Sequence, residues 1–241
     1  MRRKALEAIQ AARQAGQAMV RAVDLASGEE RLLDPIRDTS ALGAAAAEAT
    51  QADQSSPVEI DGRSWFLTVY NPPLDLVVVG AVHIAQPLCV MAHLASYKVR
   101  VIDPRQGFAA PERFPGISIT HDWPDEALAQ APLGPRSALA ALSHDPKIDD
   151  PALVVALRSD CFYVGALGSR KTQASRRERL KEKGFSEVEI NRIHGPIGLS
   201  IGARSPAEIA ISILAEITQS LRQSSGFDPA GVSLRNSTSL G

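Results

Sequence analysis

The feature that most constrains the fold is the run Leu76-Val77-Val78-Val79, which contains no polar residue. A strand with one wet face alternates apolar and polar side chains. A strand without alternation is covered on both faces, which is the rule in parallel sheets sandwiched between helices. The chain around this run keeps that rhythm. Helical spacing follows over 84–96, and a second strand reads over 99–102 and ends at Asp103. Short apolar runs over 117–120, 138–142 and 161–164 predict three more strands. Helices are expected over 150–158 and from the residues after Gly168 to about 183. Capping boxes at Ser186-Glu187-Val188-Glu189 and Ser205-Pro206-Ala207-Glu208 open two further helices, the second with proline at its first position. Behind that box Ile209, Ile213 and Ile217 form one apolar stripe. Strands alternating with helices predict the α/β class, with a Rossmann-like parallel sheet and helices on both faces.

The first 73 residues read differently. A weak helical pattern over 3–13 precedes an alternating stretch over 18–24, a turn at Ser27-Gly28-Glu29 and a second short run at 31–33. An alanine-rich helix is expected over 41–52. Val58-Glu59-Ile60 and residues 65–70 flank Asp61-Gly62, the dipeptide that suits a type I′ hairpin turn. Pro72-Pro73 ends this region because proline cannot donate to a strand ladder. The expected organisation is a small α+β N-terminal domain over 1–73, a Rossmann-like domain over 74–222 and a mobile, Ser-, Gly- and Asn-rich C-terminal tail over 223–241.

Composition narrows the function classes. A formal net charge of −1 supplies no basic field for nucleic acid or an anionic membrane surface. No apolar stretch approaches the roughly 18 residues that a membrane span requires. The two cysteines, Cys89 and Cys161, sit in separate apolar runs and read as buried thiols of a reducing compartment, so the expected location is cytoplasmic.

Five stretches could carry chemistry, and most follow a strand. Gly80-Ala81-Val82-His83-Ile84-Ala85 has the spacing of a dinucleotide fingerprint but places Val82 where the pyrophosphate-facing glycine belongs. Asp103 follows about twenty residues on, where a ribose-binding acid is expected. A nucleotide site and a plain strand-turn-helix both fit this pattern. Arg105, two residues after Asp103, could fork onto a phosphate or simply pair with that acid. His144, in Ser143-His144-Asp145-Pro146-Lys147, suits a proton carrier, a metal ligand or a loop-holding residue. In Gly165-Ala166-Leu167-Gly168-Ser169-Arg170-Lys171 two glycines flank a turn, Ser169 can cap the next helix, and Arg170 and Lys171 add charge. That combination favours an anion, although Arg176, Arg177, Arg179 and Lys181 extend the charge as a solvated basic face would. Last, residues 192–203 hold three glycines and a proline within eight positions, a backbone too tightly turned for a plain helix or strand, with His194 beside it.

Read together, three of these stretches resemble the XdhC/CoxI family, accessory factors of xanthine dehydrogenase and carbon monoxide dehydrogenase. They are residues 143–153, residues 163–172, and residues 192–199 continuing through Ile201-Gly202-Ala203 to Ala207-Glu208-Ile209-Ala210. The resemblance spans about residues 74–222. It implies a Rossmann domain behind a smaller N-terminal domain, and a chaperone rather than a turnover enzyme. The implied cofactor is molybdenum cofactor, as molybdopterin or its dinucleotide, with NAD(P) the weaker alternative. The implied partners are a molybdenum hydroxylase apoenzyme and a cysteine desulfurase that sulfurates the cofactor; a homodimer is also expected. The residues carried to the cofactor site are Gly80, His83, Asp103, Arg105, His144, Gly165, Gly168, Ser169, Arg170 and Lys171, and no catalytic or metal-ligating residue is assigned. The chain departs from the family pattern at Val82, where a second glycine is usual, and has no cysteine before Cys89, where many members carry one between glycines. Three other readings compete: an NAD(P)-dependent oxidoreductase, a client-binding scaffold without a small-molecule ligand, and a metal carrier using His83, His144 and His194.

Overall fold

The computed structural model describes residues 3–224; of the tail expected over 223–241, residues 223 and 224 still belong to the last helix and the rest lies outside the described residues. The described residues divide into two compact units, one built on residues 3–72 together with 222–224 and the other on residues 73–221.

The N-terminal unit opens with α1 (Arg3–Gln14), followed by β1 (Met19–Asp24), β2 (Glu30–Leu33), α2 (Ala41–Ala52), β3 (Ser56–Ile60) and β4 (Arg63–Tyr70). The strands form an antiparallel sheet in the order β2-β1-β4-β3. One face is dry: Val20, Ala22, Trp65 and Leu67 pack against Leu42, Ala46 and Ala49 of α2. Ser40 caps α2 by accepting from the Gly43 amide at 3.0 Å. At the β3–β4 turn Asp61 and Gly62 both have positive φ, 51° and 71°, as a type I′ turn requires. Asp24, almost fully buried, has a pKa lowered to about 2, chiefly by the Ser27 amide and against the cost of burial, with Arg63 adding an ion pair at 2.6 Å.

The second unit contains β5 (Asp75–Val79), α3 (Ala85–Leu94), β6 (Lys98–Ile102), β7 (Ser118–Thr120), α4 (Pro124–Gln130), β8 (Ser137–Ala141), α5 (Pro146–Leu157), β9 (Tyr163–Ala166), α6 (Arg170–Glu182), α7 (Glu187–Ile190), β10 (Ile193–His194) and most of α8 (Pro206–Ser224). All six strands are parallel, in the order β10-β9-β8-β5-β6-β7. The unbroken apolar run has the consequence expected of it. Leu76 and Val78 join Leu88 and Ala92 of α3 and Ile213 and Ile217 of α8 in one core. Val77 and Val79 join Leu128 of α4 and Ile148, Leu153 and Ala156 of α5 in the other. Each apolar side chain of β5 is thus buried, whichever face it points to.

Three local expectations are corrected. First, α5 begins at Pro146, four residues before the expected start, because Asp145 accepts from the Lys147 amide at 2.9 Å and proline suits the first helical position. Second, β9 runs through Gly165 to Ala166, so Gly165 belongs to the strand and not to the turn. A Cβ at Gly165 would lie 2.6 Å from both Ile197 Cδ1 and the Tyr163 hydroxyl, so glycine serves close packing here. Third, Ile193-His194 forms a sixth strand, paired with Val164 and Gly165 of β9. Two residues carry no periodicity, and only the neighbouring strand defines them.

Candidate functional site

The strand sequence moves outward from β5 through β6 to β7, then returns to the other side of β5 at β8. The loops after β5 and β8 therefore leave the sheet's C-terminal edge in opposite directions, the place where ligands bind in open α/β sheets. Gly80, His83, Asp103, Arg105, His144, Gly168, Ser169, Arg170 and Lys171 all lie in loops or helix starts at this edge, and Gly165 lies one residue inside it.

At the switch point the two loops touch. Gly80 has φ 103°, and a Cβ there would sit 2.6 Å from the Ser143 backbone nitrogen. Any side chain at this position would push the β5 and β8 loops apart. Val82 avoids the left-handed region and packs against the α3/α8 core. The Ala81 peptide is fixed at both ends: its N–H donates to Asp103 Oδ2 at 2.7 Å and its carbonyl accepts from Arg113 Nη1 at 2.9 Å. Sequence reading missed Arg113, which is far along the chain and has no motif around it.

Asp103 is fully buried and its carboxylate is filled by the protein itself. Oδ1 accepts from the Arg105 amide at 3.0 Å and Arg105 Nε at 2.9 Å; Oδ2 accepts from the Ala81 amide and from Arg105 Nη2 at 2.8 Å. Burial opposes ionisation, but these donors outweigh it and hold the Asp103 pKa below the usual carboxylate range. The Arg105 guanidinium also lies over the Phe108 ring, 4.3 Å from its centroid. Of the two roles weighed for Arg105, the local ion pair is the one the geometry shows.

The loops after β8 and β9 rest on a buried polar network that sequence reading did not find. Asp149, with no exposed surface, accepts from the Ser143 amide at 3.1 Å and the Ser143 hydroxyl at 2.6 Å, and pairs with Arg176 at 3.4 Å. Arg176 also donates to the Leu167 carbonyl at 3.1 Å and to Gln173, whose amide nitrogen donates to the Ala166 carbonyl at 2.9 Å. Desolvation raises the Asp149 pKa and lowers that of Arg176, so each partner registers a burial cost that the other only partly offsets. Next to this pair, buried Asp150 binds Arg179 through both oxygens at 2.6 and 3.0 Å. The solvated basic face expected along α6 therefore loses Arg176 to the interior, and half-buried Arg179 is tied to Asp150 of α5. Partners 27 and 29 residues apart leave no local signature in sequence.

What remains open to solvent is the start of α6. Ser169 caps it, accepting from the Thr172 amide at 3.2 Å, and Gly168 takes φ 138° to let the chain turn in. The Arg170 and Lys171 amides belong to the first turn, which has no intrahelical partners. Both side chains are exposed and, among the described residues, neither makes an ion pair. His83 and His144 are also exposed, His144 with φ 64° in the left-handed region. Among the described residues no three His, Cys, Asp or Glu side chains are grouped to hold a metal ion, so His83, His144 and His194 do not form a shared centre. Among the described residues no helix is long and apolar enough to cross a membrane.

A six-stranded parallel sheet with its switch point between the first and fourth strands, and loops gathered beyond the strand ends, defines a Rossmann-type binding domain. The family model described as the XdhC Rossmann domain matches residues 76–217, and the chain belongs to that family. Among curated relatives, the chain is 34% identical over 157 residues to YqeB of Escherichia coli (strain K12), a match covering 65% of this chain and 29% of that protein. It is 37% identical over 91 residues to the molybdenum cofactor insertion chaperone PaoD of the same organism, covering 38% of this chain and 29% of PaoD. It is 28% identical over 159 residues to a probable xanthine dehydrogenase subunit of Bacillus subtilis (strain 168), covering 66% of this chain and 46% of that one. The matches thus span less than half the length of these relatives. A crystal structure described as a xanthine dehydrogenase from Bacillus halodurans shares the fold, with a TM-score of 0.70 and 23% identity over 92% of this chain and 67% of that one.

Proposed function

We propose that this protein is a maturation factor for a molybdenum hydroxylase, one that holds molybdenum cofactor at the C-terminal edge of its parallel sheet and delivers it to the apoenzyme. The observation that carries the reading is the start of α6. Among the described residues at the rim it combines first-turn amides, the positive end of a 13-residue helix and two exposed cations that bind no carboxylate. A terminal phosphate fits that donor set. Gly168, Ser169, Arg170 and Lys171 would hold it, with His144 on the neighbouring loop, while the cofactor itself brings the dithiolene that binds molybdenum. Kinship with a relative named as a molybdenum cofactor insertion chaperone supports the assignment. Sulfuration by a cysteine desulfurase and pairing of two copies of the chain belong to the same proposal.

The oxidoreductase reading is disfavoured by a specific feature. The carboxylate that would take ribose hydroxyls is already occupied by Arg105 and the Ala81 amide. Displacing four hydrogen bonds from a buried acid costs more than a ribose diol returns.

The test is capture. The protein is produced in cells that make molybdenum cofactor, purified without oxygen, and its released small molecules are identified by mass spectrometry. The wild type is expected to retain the pterin, and the Arg170→Glu/Lys171→Glu variant to lose it. Equal retention by both would remove the α6 seat, and retention by neither would favour the scaffold reading.

A further inference from the structure

A second polar cluster occupies the β10 end of the same rim. Tyr163, buried in β9, extends over Gly165 and donates its hydroxyl to Glu216 Oε2 at 2.6 Å. The same oxygen accepts from the Gly198 amide at 2.8 Å. Glu216 Oε1 faces His194 Nδ1 at 3.4 Å. The His194 ring stacks on Tyr163 with centroids 4.7 Å apart and planes 28° apart. Burial works against the Glu216 carboxylate, but donors from His194, Tyr163 and Gly198 keep its pKa low, so it stays ionised.

Packing needs do not explain the imidazole. Glu216 already has two donors without it, and the side chain of His194 remains 38% exposed. Stacking fixes the plane of the ring. An ionised carboxylate facing Nδ1 keeps the proton on that nitrogen and leaves Nε2 as the acceptor. A half-open ring held in both plane and tautomer is prearranged for a group from outside the chain. Its position is relevant: a Cβ on the next residue, Gly195, would lie 2.5 Å from Gln173, and Gln173 Nε2 reaches the Gly168 carbonyl at 3.4 Å. The His194 loop and the α6 start are therefore neighbours.

We infer that His194 is a ligand-binding residue, accepting through Nε2 a hydrogen bond from a ring N–H, amino or hydroxyl group of the molecule whose anionic end sits at α6. Glu216 and Tyr163 are its positioning residues. This rests on the proposed function, because the ligand is the phosphorylated pterin assigned there.

The experiment uses the full chain and molybdenum cofactor released anaerobically from a purified molybdenum hydroxylase, with binding followed by fluorescence of the pterin. His194→Phe keeps the stack and removes the acceptor; it should fold as the wild type does and bind about three- to ten-fold more weakly, the effect of one lost hydrogen bond. Glu216→Gln presents an amide N–H to Nδ1, which should move the ring proton to Nε2. Nitrogen-15 NMR of the imidazole should show that exchange, and binding should weaken by a similar factor although His194 is intact. Wild-type affinity in His194→Phe, or a tautomer exchange in Glu216→Gln without weaker binding, would overturn the assignment of His194 alone. A wild type that binds no cofactor would overturn the proposed function and this inference with it.

Discussion

Arg176→Met tests the buried network that supports the rim. Arg176 is 2% exposed, and its partner Asp149 is fully buried. Removing the guanidinium leaves a carboxylate in the interior with only the two Ser143 donors, and also strips the Leu167 carbonyl and Gln173 Oε1 of this donor. Breaking a buried pair from one side costs about 3–5 kcal/mol. The Ser143 bonds survive, and Asp149 can relieve itself by taking up a proton, so the low end, about 3 kcal/mol, is expected. For a unit of this size that is a fall in Tm of about 6–12 °C, at about 2–4 °C per kcal/mol. The pH dependence identifies the cause. Burial already raises the Asp149 pKa, and the loss of Arg176 raises it further. A group with a raised folded pKa contributes stability below its unfolded pKa and loses that contribution as pH rises through the folded value. The deficit of the variant should therefore shrink from pH 7.5 to pH 5.5. Urea unfolding at both values, followed by far-UV circular dichroism, measures it. A deficit below about 1 kcal/mol, the range of exposed pairs, would refute the claim that this pair is buried and coupled. So would a deficit that does not change with pH.

Three other outcomes are expected. Gly80→Ala places a Cβ against the Ser143 backbone at positive φ and should cost about 2–4 kcal/mol, combining left-handed strain with overpacking; the urea midpoint checks it. Asp103→Asn should cost about 2 kcal/mol at neutral pH, since it removes charge-assisted bonds from Arg105. Because the folded pKa of Asp103 is depressed, its contribution is present above the unfolded pKa and lost as pH falls through the folded one, so acid unfolding of the variant should be less steep below about pH 4. Cys89, whose thiol burial pushes up to about 12, and Cys161, raised for the same reason, should react with a thiol reagent only at the rate of unfolding; rapid labelling of the native protein would contradict their burial.

The sequence by itself determined the class of fold. Leu76-Val77-Val78-Val79 could be buried only in a sheet covered on both faces, and the capping boxes at Ser186 and Ser205 open helices where local chemistry says they should. Hydrophobic period and capping are local, so they can be read from neighbours in the chain. Sequence also marked the rim, because loops after parallel strands leave by the same edge. It did not show which rim groups are free. Asp103 fitted a ribose-binding acid and Arg105 a phosphate fork or a local pair, while Arg176 and Arg179 fitted a solvated basic face; tertiary structure gave each of them a carboxylate or guanidinium partner within the chain. Gly165 looked like a turn residue, and the approach of Ile197 and Tyr163 made it a packing residue. Whether a charged side chain meets a partner or water is decided by elements far apart in sequence. Only the folded chain brings Asp149 to Arg176 and Glu216 to His194, and their burial, not their spacing, sets what each can bind.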